Sequence, residues 1–221
     1  LWFRHRFYLS ILIAERESER PMTFIQTILE DQAEAGVKEM YEENIAQFGY
    51  LPNYVRAFGL RPHVMAAWGQ LLGAIHHDMD PRRYELVTLA AARALKSSYC
   101  MLAHGTVVLN EFYSTEQLTQ IARDYHAADL TRAEVAMMAF AEQVVLDATA
   151  VTQTDIDVLR RHNFTDAEIF DITAAAAARC FLSKTVDALG AEPDKAFMAL
   201  DEELREALTV GRRISRQILE E

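Results

Sequence analysis

Residues Tyr84–Phe112 read YELVTLAAARALKSSYCMLAHGTVVLNEF, and where this stretch breaks decides the fold. Leu86, Leu89, Ala90 and Ala94 recur at helical spacing and predict one amphipathic helix. Tyr99, Leu102, Val107 and Leu109 predict a second, and Lys96-Ser97-Ser98 lies between them. A serine there suits an N-cap, because its hydroxyl can accept from the unpaired amides of a first turn. The stretch predicts two helices joined by a short bend.

The bend places Cys100, one of only two cysteines, two or three residues into the second helix. Free N–H groups and the helix dipole favour negative charge at that depth, hence thiolate over thiol. His104 follows at i+4, on the same face and one turn along. Glu85 precedes Cys100 by fifteen residues, about 22 Å along one unbroken helix. If the first helix folds back beside the second, its carboxylate returns to the His104 face and can orient the imidazole. Spacing alone leaves two readings open. One is a base-activated sulfur nucleophile; the other is a small buried hydrophobe with a histidine one turn away.

These residues resemble the motif of the alkylhydroperoxidase D-like branch of the carboxymuconolactone decarboxylase family. That motif is a glutamate, a C-x-x-C, and a histidine four residues beyond the second cysteine. Glu85, Cys100 and His104 stand at the matching positions. Tyr99 stands just before the reactive cysteine, where members carry histidine or tyrosine, and Ser97 occupies the place of the first cysteine. The resemblance runs from about Val37 to Asp194. It takes in Gly49-Tyr-Leu-Pro-Asn53, Arg61-Pro62 and Phe164-Thr-Asp-Ala-Glu-Ile169. It implies an all-α alkylhydroperoxidase D-like helical bundle of about ten helices, with the active pair on a central helical hairpin. It also implies a homo-oligomer, a trimer or hexamer.

By the same resemblance, the chain is expected to reduce hydroperoxides at the expense of a thiol. Cys100 would be the attacking thiolate, His104 its base and proton donor, and Glu85 the residue orienting His104. Tyr99 and Ser97 would position the peroxide oxygen or the sulfenate. Serine at position 97 cannot form the disulfide of a dithiol cycle. An external thiol reductant, or Cys180, must then reduce Cys100. Two other readings follow from the family and from the missing cysteine. One is acid–base decarboxylation by His104 and Glu85; the other is a non-catalytic redox sensor or scaffold.

The remaining sequence bounds these readings. Half of the 221 residues are hydrophobic (51%) and glycine is sparse, which suits a helical protein. A net charge of −11 argues against nucleic acid and anionic membranes as partners. Two cysteines eighty residues apart make neither a disulfide framework nor a zinc pattern, so a reducing, cytoplasmic setting is expected. No flavin, haem or nucleotide signature occurs, so no cofactor is expected. Residues 1–21 carry a short apolar run, Phe7 to Ala14, too short to span a bilayer and lacking a small-residue cleavage site. With Met22-Thr-Phe-Ile resembling a natural start, residues 1–21 are expected to be a non-native or upstream extension. Residues 22–221 are expected to form one domain with a C-terminal helical tail.

Phe24 to Phe48 predicts two short helices broken near Gly36, and Arg61-Pro62 opens another that runs to His76-His77-Asp78. Adjacent histidines point to different sides of a helix, so these three read as a solvated helix end rather than a metal site. Ser114–Gln117 and Thr131–Glu134 are capping boxes. Thr152 and Thr165 each begin a helix, and the second carries the run Ala174–Ala178 and Cys180 before Gly190 stops it. Asp194 to Glu221 reads as a charged amphipathic tail on the surface or at an interface.

Overall fold

The computed structural model describes residues 23–216, and the extension expected over residues 1–21 lies outside them. Among the described residues the chain forms ten α-helices and no strand. These are α1 (Ala35–Phe48), α2 (Asn53–Phe58), α3 (Pro62–His76), α4 (Pro81–Ala94) and α5 (Ser98–Glu111), then α6 (Thr115–Asp124), α7 (Arg132–Asp147), α8 (Gln153–Arg161), α9 (Asp166–Ala188) and α10 (Glu202–Leu208).

The centre is α4. Its side-chain start signal is Asp80, whose carboxylate accepts from the Arg83 amide at 2.9 Å, and Pro81 takes the first helical position. Every residue from Tyr84 to Ala92 is buried, so α4 is enclosed on all sides, by α5, α7 and α9. Of these nine only Glu85 and Thr88 carry a charged or hydroxyl group on a non-aromatic side chain, and a helix so largely apolar belongs in a core. Two arginines at its entrance anchor it: Arg82 pairs with Glu134 of α7, and Arg83 with Glu168 of α9 at 2.7 Å.

Lys96 then adopts φ +56°, a left-handed turn that ends α4 and sends α5 back beside it. The predicted bend is there, but its capping differs from expectation. Ser97 occupies the N-cap position, yet its hydroxyl does not accept from the first-turn amides. Ser98 Oγ accepts instead from the amide of Gly211, at 2.8 Å. A Cβ on Gly211 would sit 2.0 Å from the Lys96 carbonyl oxygen, so only glycine can approach the bend this closely.

Both predicted capping boxes form, and Thr152–Asp155 and Thr165–Glu168 add two more. One expectation fails. Between Phe24 and Phe48 only α1 and a 3-10 turn at Glu30–Gln32 form, and Gly36 lies inside α1, because the backbone reverses one residue earlier, at Ala35 (φ +45°). In the C-terminal tail the expected amphipathic helix is α10. Leu204 and Leu208, one turn apart on α10, are fully buried against α5 and α6, and the Ser215 amide bonds to Pro193 O at 2.8 Å. A pattern of two leucines among charges predicts an amphipathic helix, and here its apolar side completes the core.

Candidate active site

Residues of α1, α2, α3 and α9 and of the segment before α10 meet over the start of α5 around a cavity of about 590 Å³. Its walls are largely apolar and aromatic, with Trp68 from α3, Tyr54 from α2, Tyr99 from α5 and Phe197 from the segment before α10. Cys100, His104, Arg179 and Asp194 reach it as well.

Cys100 is the third residue of α5 and only 2% exposed. Two donors from α9 meet its sulfur: Ser183 Oγ at 3.2 Å and Arg179 Nη1 at 3.8 Å. Arg179 and Ser183 stand one turn apart and so share a face. Cys180, roughly 100° further round the same helix, is off that face and half-buried, and burial pushes its thiol up.

The fold-back of α4 brings Glu85 to His104. Glu85 Oε2 lies 2.7 Å from Nδ1 of the ring, with the two side chains 10% and 19% exposed. Burial holds the imidazole below the ordinary histidine range; the Arg179 charge adds to the effect, while Glu85 opposes it. The ring is therefore neutral at pH 7. A neutral ring bonded to a carboxylate through Nδ1 carries its proton there, which leaves Nε2 as an acceptor. Among the described residues no hydrogen bond joins His104 to Cys100; the two share the cavity, one turn apart on α5.

Tyr99 and Ser97 stand differently. The Tyr99 hydroxyl donates to Asp194 Oδ2 at 2.5 Å and accepts from the Tyr54 amide at 3.2 Å, so its one hydrogen is committed within the protein. Asp194 also accepts from the Asn53 amide at 2.8 Å and the Tyr50 hydroxyl at 3.3 Å. Burial raises Asp194 and Tyr99 alike, and lifts Tyr54 to about 12. Tyr99 is thus a wall of the cavity and a tie to the loop before α10. Ser97 is fully buried at the bend, beside Asp187 rather than on the cavity wall. Elsewhere, His76, His77 and Asp78 are exposed at the end of α3, and no group of three metal-ligating side chains gathers among the described residues. None of the described helices is long and apolar enough to cross a membrane.

Sequence reasoning missed Arg179, Ser183, Trp68 and Asp194. The arginine did leave a signal, as the one charge inside Ala174–Leu182 (AAAAARCFL). A buried apolar helix carries such a charge only where something answers it.

Residues 62–143 match the model of the carboxymuconolactone decarboxylase family. No curated protein matches the chain. Among solved structures, an uncharacterized peroxidase-related protein from Ralstonia eutropha JMP134, with an alkylhydroperoxidase AhpD core, superposes with a TM-score of 0.73 at 23% identity. That match covers 82% of this chain and 97% of the other. An uncharacterized peroxidase-related protein from Silicibacter sp. TM1040 gives 0.67 at 17% identity, over 83% and 95%. The debrominase Bmp8, as a cysteine-to-alanine variant in complex with 2,3,4-tribromopyrrole, gives 0.68 at 18% identity, over 86% and 99%. At such identities the likeness is one of fold. Residues 62–143 are thus similar to the carboxymuconolactone decarboxylase family, and the helical fold around them is like that of the AhpD core.

Proposed function

We propose that the chain is a thiol-dependent peroxidase acting on organic hydroperoxides. The observation that supports this reading is His104, which lines one cavity with Cys100, one turn away, and is bonded through Nδ1 to Glu85. Nε2 of the neutral His104 takes the proton of the Cys100 thiol, directly or across one water, and Glu85 stabilises the imidazolium that forms. The thiolate, held by the Ser183 hydroxyl and the Arg179 guanidinium, attacks the terminal oxygen of the hydroperoxide. An S–O bond forms and the O–O bond breaks. His104 returns the proton to the departing alkoxide, leaving an alcohol and a cysteine sulfenic acid.

Reduction of the sulfenic acid uses two molecules of an external thiol. The first forms a mixed disulfide and releases water; the second displaces Cys100 and leaves as the external disulfide. Ser97 cannot resolve the sulfenic acid, and Cys180 lies off the α9 face whose Arg179 and Ser183 meet the sulfur. Aromatic walls favour a second reading of the same sulfur, removal of halide from a halogenated ring, the chemistry named for Bmp8.

The test is hydroperoxide consumption with an external dithiol. Cys100→Ser abolishes it and Cys180→Ser retains it. Activity kept in Cys100→Ser but lost on Glu85 or His104 replacement would turn the assignment to acid–base decarboxylation. We also assign a second copy of this chain to the uncovered side of α3. This helix buries none of its fifteen residues, and Leu71 lies 50% exposed beside Phe181, itself 43% exposed. Light scattering of the purified chain reads the assembly.

A further inference from the structure

We infer that the cavity selects substrates with an anionic head, and that Arg179 and the Trp68 indole N–H bind a carboxylate there beside Cys100. The inference deepens the peroxidase reading and rests on it for the reacting group.

Arg179 is 1% exposed, and among the described residues no carboxylate lies within ion-pair distance of it. The contrast with Arg56 is direct: that side chain is also buried, and it is paired with Glu30. A buried charge without a counter-charge is costly, and proteins keep one where a ligand or reaction supplies the partner. The contacts Arg179 does make are long: 3.8 Å to the Cys100 sulfur and 3.4 Å to the Tyr84 hydroxyl, and its Nε–H has no acceptor.

A second orphan lies next to it. The Nε1–H of Trp68 is buried without a partner, and the guanidinium carbon of Arg179 stands 5.8 Å from the centroid of that indole. Both side chains line the cavity. Two unanswered N–H donors, one on a permanent cation, call for an acceptor with negative charge. A thiolate on Cys100 answers one Nη and leaves both orphans as they are.

The rest of the cavity fixes the other end of the molecule. The acid on its wall, Asp194, is engaged by Asn53, Tyr99 and Tyr50. Leu182, Val186, Phe197 and Leu200 offer only apolar surface. The fitting ligand is an apolar carboxylic acid. Because Arg179 touches the sulfur itself, the hydroperoxide must sit within a few bonds of the carboxylate.

The experiment titrates octanoate and 1-octanol into the full-length Cys100→Ser protein and reads binding by calorimetry. In that background a thiolate cannot compete for Arg179. Octanoate is expected to bind about tenfold tighter than the alcohol, the factor of one charge-assisted hydrogen bond. Adding Trp68→Phe, which keeps the ring and deletes the donor, should weaken octanoate several-fold and leave octanol unchanged. Adding Arg179→Met should erase the preference for the acid. Equal binding of acid and alcohol, or losses that fall equally on both, overturns the head-group site. Turnover of uncharged cumene hydroperoxide by the unmodified protein is read separately. If it proceeds while octanoate shows no preference, only the head-group inference falls. If octanoate is preferred but no hydroperoxide is turned over, the site stands and the peroxidase reading falls.

Discussion

Glu85→Gln is the sharpest probe of the proposed chemistry, because it removes a charge and keeps a shape. Glutamine still offers an oxygen to His104 Nδ1–H at the position of Oε2, 2.7 Å away. What disappears is the attraction between carboxylate and imidazolium. Both side chains are largely withdrawn from water, 10% and 19% exposed, so solvent does little to screen it. With charge centres about 4 Å apart and an effective dielectric near 20, the gross attraction is about 4 kcal/mol. The neutral hydrogen bond that replaces it and local relaxation recover most of this. The net difference between a charge-assisted and a neutral bond is about 1–1.5 kcal/mol. Resting His104 is neutral, so the loss falls on the transition state, and kcat/KM for cumene hydroperoxide should drop roughly tenfold. The pH profile adds a signature. The bond and the charge of Glu85 both hold the His104 pKa up against burial. Without the charge, the acid limb of the profile should move to lower pH while the plateau falls, and an NMR titration of the ring should move the same way. A merely structural Glu85 would lower the plateau without moving the limb. Glu85→Gln within twofold of the unmodified protein, in a background where His104→Asn is inactive, would refute the role.

Other outcomes follow from the same geometry. Tyr99→Phe strips a donor from buried Asp194 and an acceptor from the Tyr54 amide, and should cost about 2–3 kcal/mol in urea denaturation; a cost below about 0.5 kcal/mol would show the tie to be idle. Gly211→Ala drives a Cβ into the Lys96 carbonyl and should cost about 1–3 kcal/mol in a thermal melt. Gly105→Ala meets only the methyl ends of Leu208, at 2.8 Å, and should cost less. His104 has a folded pKa below its unfolded value near 6.5, so the unfolded chain binds the proton more readily. Its contribution is present above about pH 6.5 and fades as pH falls toward the folded value. His104→Gln should flatten this part of the stability profile.

The sequence carried the hairpin because its cues are local. Helical periodicity on each side of Lys96-Ser97-Ser98 marked the bend, and the fold-back then brought a glutamate and a histidine nineteen residues apart into contact. The capping boxes were legible for the same reason, each being complete within four residues. What stayed hidden is long-range. Asp194 meets Tyr99 and Tyr50 across 95 and 144 residues, and no pattern in any one helix announces that. Arg179 reaches Cys100 across 79, from a run of alanines that reads as packing surface. Those alanines divide their work: Ala175 and Ala176 enter the core, while Ala174, Ala177 and Ala178 line a shallow apolar groove with α3. Leu204 and Leu208 told of an amphipathic helix, but not that α5 and α6 were what it covered.

The contact of Gly211 with the bend makes the reactive centre depend on sequence far from it. The amide of residue 211 grips Ser98, two positions before the sulfur, although more than a hundred residues separate them along the chain. A ribosome must therefore deliver the chain through residue 211 before the nucleophile can take its final seat. Thiol reactivity at Cys100, followed during synthesis or after proteolytic clipping upstream of residue 211, would serve as a clock for completion of the fold.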